Sequence, residues 1–386
     1  ARLAAEAVDA GALGFTTSRT RNHRASTGEP TPTLKAARSE LVGIAEALGS
    51  IGKGVLQVVS DFLDLDDEVA TVRAMASASG RPLSISLLQN PFFPAQWRDL
   101  LDAIATARSD GLALTGQVAP RPVGVLLGLQ TTLHPFLGNP SFMAVAGRPF
   151  EEKLAALRDP DRRRRVLADA ASRAAALPFE QMFELGDPPD YEPQPEQSVA
   201  AEAARLGVPV ADHVYDLILG DEGRALLYVP FLNYADGNLE PQREMLAHHW
   251  TVPGLGDGGA HVGTICDVSF PTTLLTMWGR ARDHGRLKVP FLVQRQCRDT
   301  ARAVGLHDRG VLAAGFRADL NVIDFDRLAV RRPEVRYDLP AGGRRLLQRA
   351  DGYLHTIVAG LETYSEGEST GALPGRLVRG GQPAPT

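Results

Sequence analysis

The 386-residue chain is 44% apolar and 23% charged, enough to bury a large core, and its length allows one large domain with a smaller one beside it. A formal net charge of −5 offers no basic field for a phosphate backbone, so nucleic acid is not an expected partner. Cys266 and Cys297 are the only cysteines, which excludes a disulfide framework and fits a reducing, cytoplasmic setting, and no apolar run of about 20 residues exists to span a membrane.

The opening stretch from Arg2 to Gly11 has the pattern of the last turns of an amphipathic helix closed by glycine, and the expectation is a chain that starts inside a fold. Strand and helix patterns then alternate. Residues 12–17 predict a strand, 32–48 a helix, 54–60 a continuous apolar strand, and 68–79 a helix. The same rhythm continues with a strand over 81–88, a helix over 96–108 and a strand over 112–118. Strands apolar on both faces, separated by helices, indicate a parallel sheet covered by helices, either a barrel or a doubly wound fold.

The rhythm breaks between Pro120 and Leu246, where helices are expected around 151–157 and 162–176, with a Pro-rich linker over 188–195; such an insertion suits a lid or substrate wall. The basic run Arg162 to Arg165 falls in the second of these helices beside Asp159, Asp161 and Asp169, and reads as a solvated face. Strand character resumes at His249 to Val252. A final module begins near Gly305, with strands expected over 315–324 and 356–364.

The most informative stretch is Gly254-Leu255-Gly256-Asp257-Gly258-Gly259-Ala260-His261-Val262-Gly263, directly after a short apolar run. Glycines permit close approach and positive φ. An Asp at the carboxyl end of a strand with His261 four residues on suits metal ligation or proton transfer, while an Asx turn leading into a helix near Thr272 accounts for the same residues. Cys266 and Asp267 follow, and packing is the simpler reading of Cys266. His134 and His213 fall in the insertion, as a lid wall and a helix surface respectively.

Several of these segments carry a resemblance. Residues 315–324 with Val358-Ala359-Gly360 resemble the C-terminal segment of the amidohydrolase superfamily. Gly11 to Arg19, Asp257 to Gly263 and Thr370 to Arg376 together resemble the N-acyl-D-amino-acid deacylase (D-aminoacylase) group, over essentially the whole chain. The resemblance implies a metal-dependent (β/α)8 barrel in which an H-x-H pair ends strand 1, a Cys ligand comes from strand 2 and an Asp ends strand 8. By it the strands here correspond to numbers 4 to 8, with Asp257 on the last, so that the chain has the look of a fragment: a partial α/β barrel over 1–305, interrupted by the insertion at about 120–246, and a β-sandwich segment over 306–386. Among the nine histidines only His248 and His249 are adjacent and no two stand one residue apart, so no H-x-H pair is present.

A second departure concerns the ends of the strands numbered 5 and 6, where the resemblance implies histidine ligands. Ser60 with Asp61 and Gln89 with Asn90 stand there, and Ser and Gln are poor zinc ligands. What the resemblance implies for the site is a divalent metal, zinc in the related deacylases, with Asp257 as ligand and proton-transfer base, His261 beside it, and Arg19 or Arg121 as a fork for a substrate carboxylate. The implied reaction is hydrolysis of a linear amide, an N-acyl-D-amino acid, while the fragment by itself holds too few ligands for tight zinc. A cyclic-amide hydrolase such as a hydantoinase or dihydroorotase is the rival within the superfamily; it uses a carboxylated lysine, and no Lys lies between Ala1 and Arg24. A non-catalytic barrel acting as a binding partner is the rival from another class. Open strand edges around an apolar interior would favour self-pairing into a homo-oligomer.

Overall fold

The computed structural model describes residues 1–171, 177–256 and 258–386. After helix α1 (Arg2–Asp9), strand β1 (Gly14–Arg19) is followed by α2 (Arg38–Ile51), β2 (Val55–Ser60), α3 (Leu65–Ser79), β3 (Leu83–Ser86), α4 (Gln96–Ser109) and β4 (Leu114–Val118). The expected helix over 32–48 divides into a short 3-10 turn, Pro32–Lys35, and α2, because Ala36 and Ala37 are extended. Helix boundaries follow local chemistry. Asp64 caps α3 by accepting the Asp67 N–H at 3.1 Å, acids fill the first turn, and α2 and α3 both end on a left-handed glycine, Gly52 and Gly80.

The chain then leaves the sheet. Strand β5 (Val123–Leu127) leads to helices α5 (Pro140–Ala146), α6 (Phe150–Arg158) and α7 (Pro160–Ala171), then β6 (Phe183–Glu184), α8 (Val199–Leu206), α9 (Val210–Gly223), β7 (Leu227–Leu232) and α10 (Glu240–Ala247). These build a second layer on an antiparallel sheet of order β5-β7-β6, with its own core that includes Phe136, Phe142, Leu157, Val166, Tyr215 and Ile218. The residues 172–176 that close the expected second helix lie outside the described residues. Its basic run is not purely solvated: Arg163 reaches Asp212 at 3.3 Å and Asp216 at 3.0 Å and ties α7 to α9. The Pro-rich stretch is not a free linker either, since Tyr191 is buried, Glu192 pairs with Arg282 at 3.1 Å, and the Pro193 carbonyl accepts from the Tyr234 hydroxyl. His134 stacks on Phe142 at 4.1 Å, and His213 is nearly covered and meets Glu202 at 3.2 Å.

Strand β8 (Thr251–Pro253) returns to the first sheet and pairs with β4, giving a five-stranded parallel sheet in the order β1-β2-β3-β4-β8. Register explains its chemistry. The row Phe15, Leu56, Leu83 and Leu114 faces the helices, whose core includes Leu41, Leu48, Met75, Trp97 and Ile104. The next row, one residue along, is Thr16, Gln57, Ser84 and Thr115. The expectation of strands apolar on both faces is therefore corrected: side chains alternate across a strand, and here the face away from the helices is polar. The apolar interior invoked for self-pairing is absent from these rows.

Beyond β8 lie α11 (Phe270–Thr276), α12 (Val289–Gln294) and α13 (Thr300–Ala303), then the strands β9 (Leu320–Ile323), β10 (Ala329–Val330), β11 (Glu334–Leu339), β12 (Gly343–Leu347), β13 (Ala350–Asp351), β14 (Tyr353–Val358), β15 (Leu361–Ser365) and β16 (Glu368–Ser369). They form an antiparallel sheet of order β16-β15-β14-β9 and two ribbons, β10 with β13 and β11 with β12. The single strand expected over 356–364 is a hairpin. Ala359 and Gly360 both take positive φ, 51° and 83°, the two-residue turn that matches strand twist. No helix among the described residues is long and apolar enough to cross a membrane.

Candidate active site

Ligand sites of open α/β sheets gather outside the carboxyl ends of the strands, and a cavity of about 570 Å3 lies there. One wall is polar and uncharged, with Thr16 and Ser18 from β1, Gln57 and Ser60 from β2, Ser86 from β3 and Asn90 just beyond it. The facing wall is apolar and comes from elsewhere in the chain, with Val123, Phe231, Leu232, Leu255 and Ile265. Among the described residues its ionisable side chains are His23, Asp61, His261 and Asp267, with no Lys or Arg.

The polar wall is hydrogen-bonded across the strands. Thr16 donates to Gln57 Oε1, Gln57 Nε2 donates to Ser86 Oγ at 3.4 Å, and one row deeper Gln117 Nε2 donates to Ser84 Oγ at 2.9 Å. Ser18 Oγ and His23 Nδ1 share a hydrogen bond of 2.7 Å. Asp61 accepts from the Thr20 hydroxyl and from the Arg21 N–H at 2.8 Å, so its carboxylate orders the loop that follows β1.

The residues singled out in the sequence fall in different places. Asp257 lies outside the described residues. His261 lines the cavity, exposed and with a φ of 51°, and its carbonyl accepts the N–H groups of Thr264 and Ile265 at 2.8 and 3.0 Å. Arg19 ends β1 on the face opposite Ser18: its guanidinium grips Glu68 through Nε and Nη2 at 2.7 to 3.0 Å and donates to the Ala36 carbonyl at 2.6 Å. The Glu68 carboxylate raises the Arg19 pKa further. Arg121, 2% exposed, donates to Ser269 and Thr273 hydroxyls at 3.0 and 3.2 Å and to the Cys266 carbonyl, with Asp267 at 3.7 Å and the Tyr191 ring centroid at 3.7 Å. Neither guanidinium lines the cavity.

Ser60 lines the cavity but donates to Glu68 Oε2 at 3.0 Å, whereas Gln89 is fully buried and turned away. Its amide donates to Asp236 at 2.8 Å and accepts the Ala235 N–H at 3.0 Å, clamping the loop after β7. Cys266 is buried, and burial with Asp267 nearby raises its thiol to about 11 despite the Arg121 charge. Among the described residues no three His, Cys, Asp or Glu side chains are grouped to hold a metal ion. The residues that sequence reasoning missed are Ser18, Gln57 and Ser86, beside the expected end of β1 at Thr16 and Thr17. Their signal was the period-2 alternation inside strands read as uniformly apolar.

Comparison with known proteins fixes the family. The sequence profile of the amidohydrolase family matches residues 1–364. The chain belongs to the amidohydrolase family. Among solved structures, one that defines D-aminoacylase as a novel subset of amidohydrolases has a TM-score of 0.52 at 17% identity. A second, concerned with the binuclear metal centre of D-aminoacylase, gives the same values, and a mutant D-aminoacylase in complex with 100 mM CuCl2 reaches 0.54 at 18%. Each covers 96% of this chain, which spans 63% of the length of theirs. At this identity the likeness is one of fold. No curated protein matches the sequence.

Proposed function

We propose that this amidohydrolase-family chain serves hydrolysis of a linear N-acyl amide, with the cavity at the carboxyl ends of β1 to β3 as the acyl-amide site. The observation that carries the reading is the cavity itself: one wall of neutral donors and acceptors suits an amide, and the apolar wall suits an acyl chain. Leu255 and His261, on either side of Asp257 in the chain, both line it. In the proposed step Asp257 accepts a proton from the attacking water as the C–O bond forms at the carbonyl, and delivers it to the amine nitrogen as the C–N bond breaks. Acid and amine are the products. The described residues do not make a metal site by themselves, so no step is assigned to a metal; a divalent ion, zinc included, is a proposal to be tested by chelation and metal replacement. The parallel order β1-β2-β3-β4-β8 supports reading the sheet as part of a (β/α)8 barrel and residues 306–386 as a β-sandwich segment.

The amine half is narrower than the resemblance suggests. An N-acyl-D-amino acid brings a carboxylate, and the two arginines expected to receive it are held by Glu68 and by the Asp267 cluster. Among the described residues no Lys or Arg lines the cavity. The experiment pairs an N-acyl amino acid with its carboxamide on the full chain, with and without Asp257→Asn. Acid release abolished by the substitution, with the carboxamide turned over at least as fast as the acid, is the expected result. Normal kcat in the variant removes Asp257 from the chemistry. A carboxylate strongly preferred by wild type would reinstate an anion fork.

A further inference from the structure

A second cavity, of about 630 Å3, lies at the opposite end of the parallel sheet, among the amino-terminal ends of β3, β4 and β8 and the segment 291–303. Among the described residues its wall carries four guanidinium groups, Arg108, Arg295, Arg298 and Arg302, and a single carboxylate, Asp299. That local excess runs against a chain whose net charge is −5.

Hydrogen bonding within the protein does not neutralise it. Arg108 is half-buried and gives its N–H groups to the Leu114 carbonyl and the Thr115 hydroxyl, both neutral, and no carboxylate among the described residues pairs with it. Burial alone depresses its proton affinity. Arg295 is 9% exposed; its Nη atoms donate to the carbonyls of His248, His249 and Thr251 at 3.0 to 3.2 Å, while its buried Nε has no acceptor. Asp299 is shared, at 3.4 Å from Arg295 and 2.9 Å from Arg298. Arg302 is exposed with no ion-pair partner among the described residues. Taking a guanidinium out of water without a counter-charge costs several kcal/mol, and an unfilled buried donor adds to that cost. Trp250 and His249 complete the wall, the Trp250 ring centroid 4.7 Å from the Arg108 guanidinium carbon and 4.2 Å from the His249 ring centroid.

We infer that this cavity binds a small organic phosphate whose planar ring lies against Trp250 and whose phosphate is gripped by Arg298 and Arg302, with Arg108 and Arg295 supplying the field behind them. Guanidinium forks match phosphate oxygens two at a time, and a phosphate monoester, at about −1.5 to −2, offsets the larger part of the excess that one carboxylate leaves on four guanidinium groups. The site is separate from the amide cavity and does not depend on the reaction assigned there.

Isothermal titration of the full chain with phenyl phosphate tests it, with benzyl alcohol as the uncharged control. Saturable binding of phenyl phosphate, weakened by salt and absent for benzyl alcohol, is expected. The double variant R298Q/R302Q, altered only at the solvent side of the wall, should bind roughly tenfold more weakly, about 1.4 kcal/mol. Its circular dichroism should match wild type. No saturable binding at millimolar phenyl phosphate overturns the inference, as does equal binding by wild type and a folded double variant, which would place the ligand elsewhere.

Discussion

Arg121→Met separates the two roles open to a buried arginine at the end of β4. The side chain is 2% exposed, donates three hydrogen bonds at 2.5 to 3.2 Å, and stands 3.7 Å from Asp267, which is itself 6% exposed. Ser269 also donates to Gln348, and Gln348 donates to the Tyr191 hydroxyl at 2.8 Å, so the cluster joins the insertion, α11 and the C-terminal strands. Methionine keeps the volume and removes the charge and the donors. Removing one partner of a buried ion pair costs about 3–5 kcal/mol, more than the thioether regains by packing. At a urea slope of about 3 kcal/mol/M the unfolding midpoint should drop by roughly 1 M or more. Urea unfolding followed by far-UV circular dichroism measures this, with titration of an N-acyl amino acid and its carboxamide alongside. An unchanged midpoint together with selective loss of affinity for the carboxylate would refute the reasoning and make Arg121 a ligand group.

Other outcomes follow from single positions. Gly14→Ala places a Cβ 2.0 Å from the Val55 carbonyl oxygen in the β1–β2 pairing, and backbone has to move; a loss of about 1–3 kcal/mol should show in thermal unfolding. His134 is held neutral down to about pH 4 by burial and the Lys153 charge. The unfolded chain protonates it near pH 6.5, so its contribution is fully present above that pH and is lost as pH falls towards 4. His134→Phe, which keeps the stack on Phe142, should flatten the fall in urea midpoint between pH 7 and pH 5, and an unchanged slope would contradict this. The Cys266 thiol, raised to about 11, should react with iodoacetamide far more slowly than exposed Cys297 at pH 8, as peptide mass spectrometry of the alkylated protein would show.

What the sequence determined by itself is local. The helices α3 and α4 lie within a few residues of their predicted spans, because caps and apolar spacing act over one or two turns, whereas the helix predicted over 32–48 begins only at Arg38, after a separate 3-10 turn. The parallel sheet covered by helices, though not its strand order, followed from the alternation of strands and helices, and the glycine-rich stretch after β8 pointed to the end of the sheet where a cavity opens. Strand polarity was also on the page, in Thr16, Ser18, Gln57, Ser84 and Ser86, but a reading that weighed apolar content over alternation missed it. The tertiary structure alone decided which charges are available to a ligand. Arg19 meets Glu68 from 49 residues away, and Arg121 meets Ser269 from 148 residues away. An arginine at the end of a strand has no assigned function until the surrounding acceptors are known, since desolvation rewards it for pairing with whatever carboxylate or carbonyl the fold brings within reach. The same rule operates at the far end of the sheet, where the fold brings Arg108 together with Arg295, Arg298 and Arg302 and, among the described residues, leaves one carboxylate beside them.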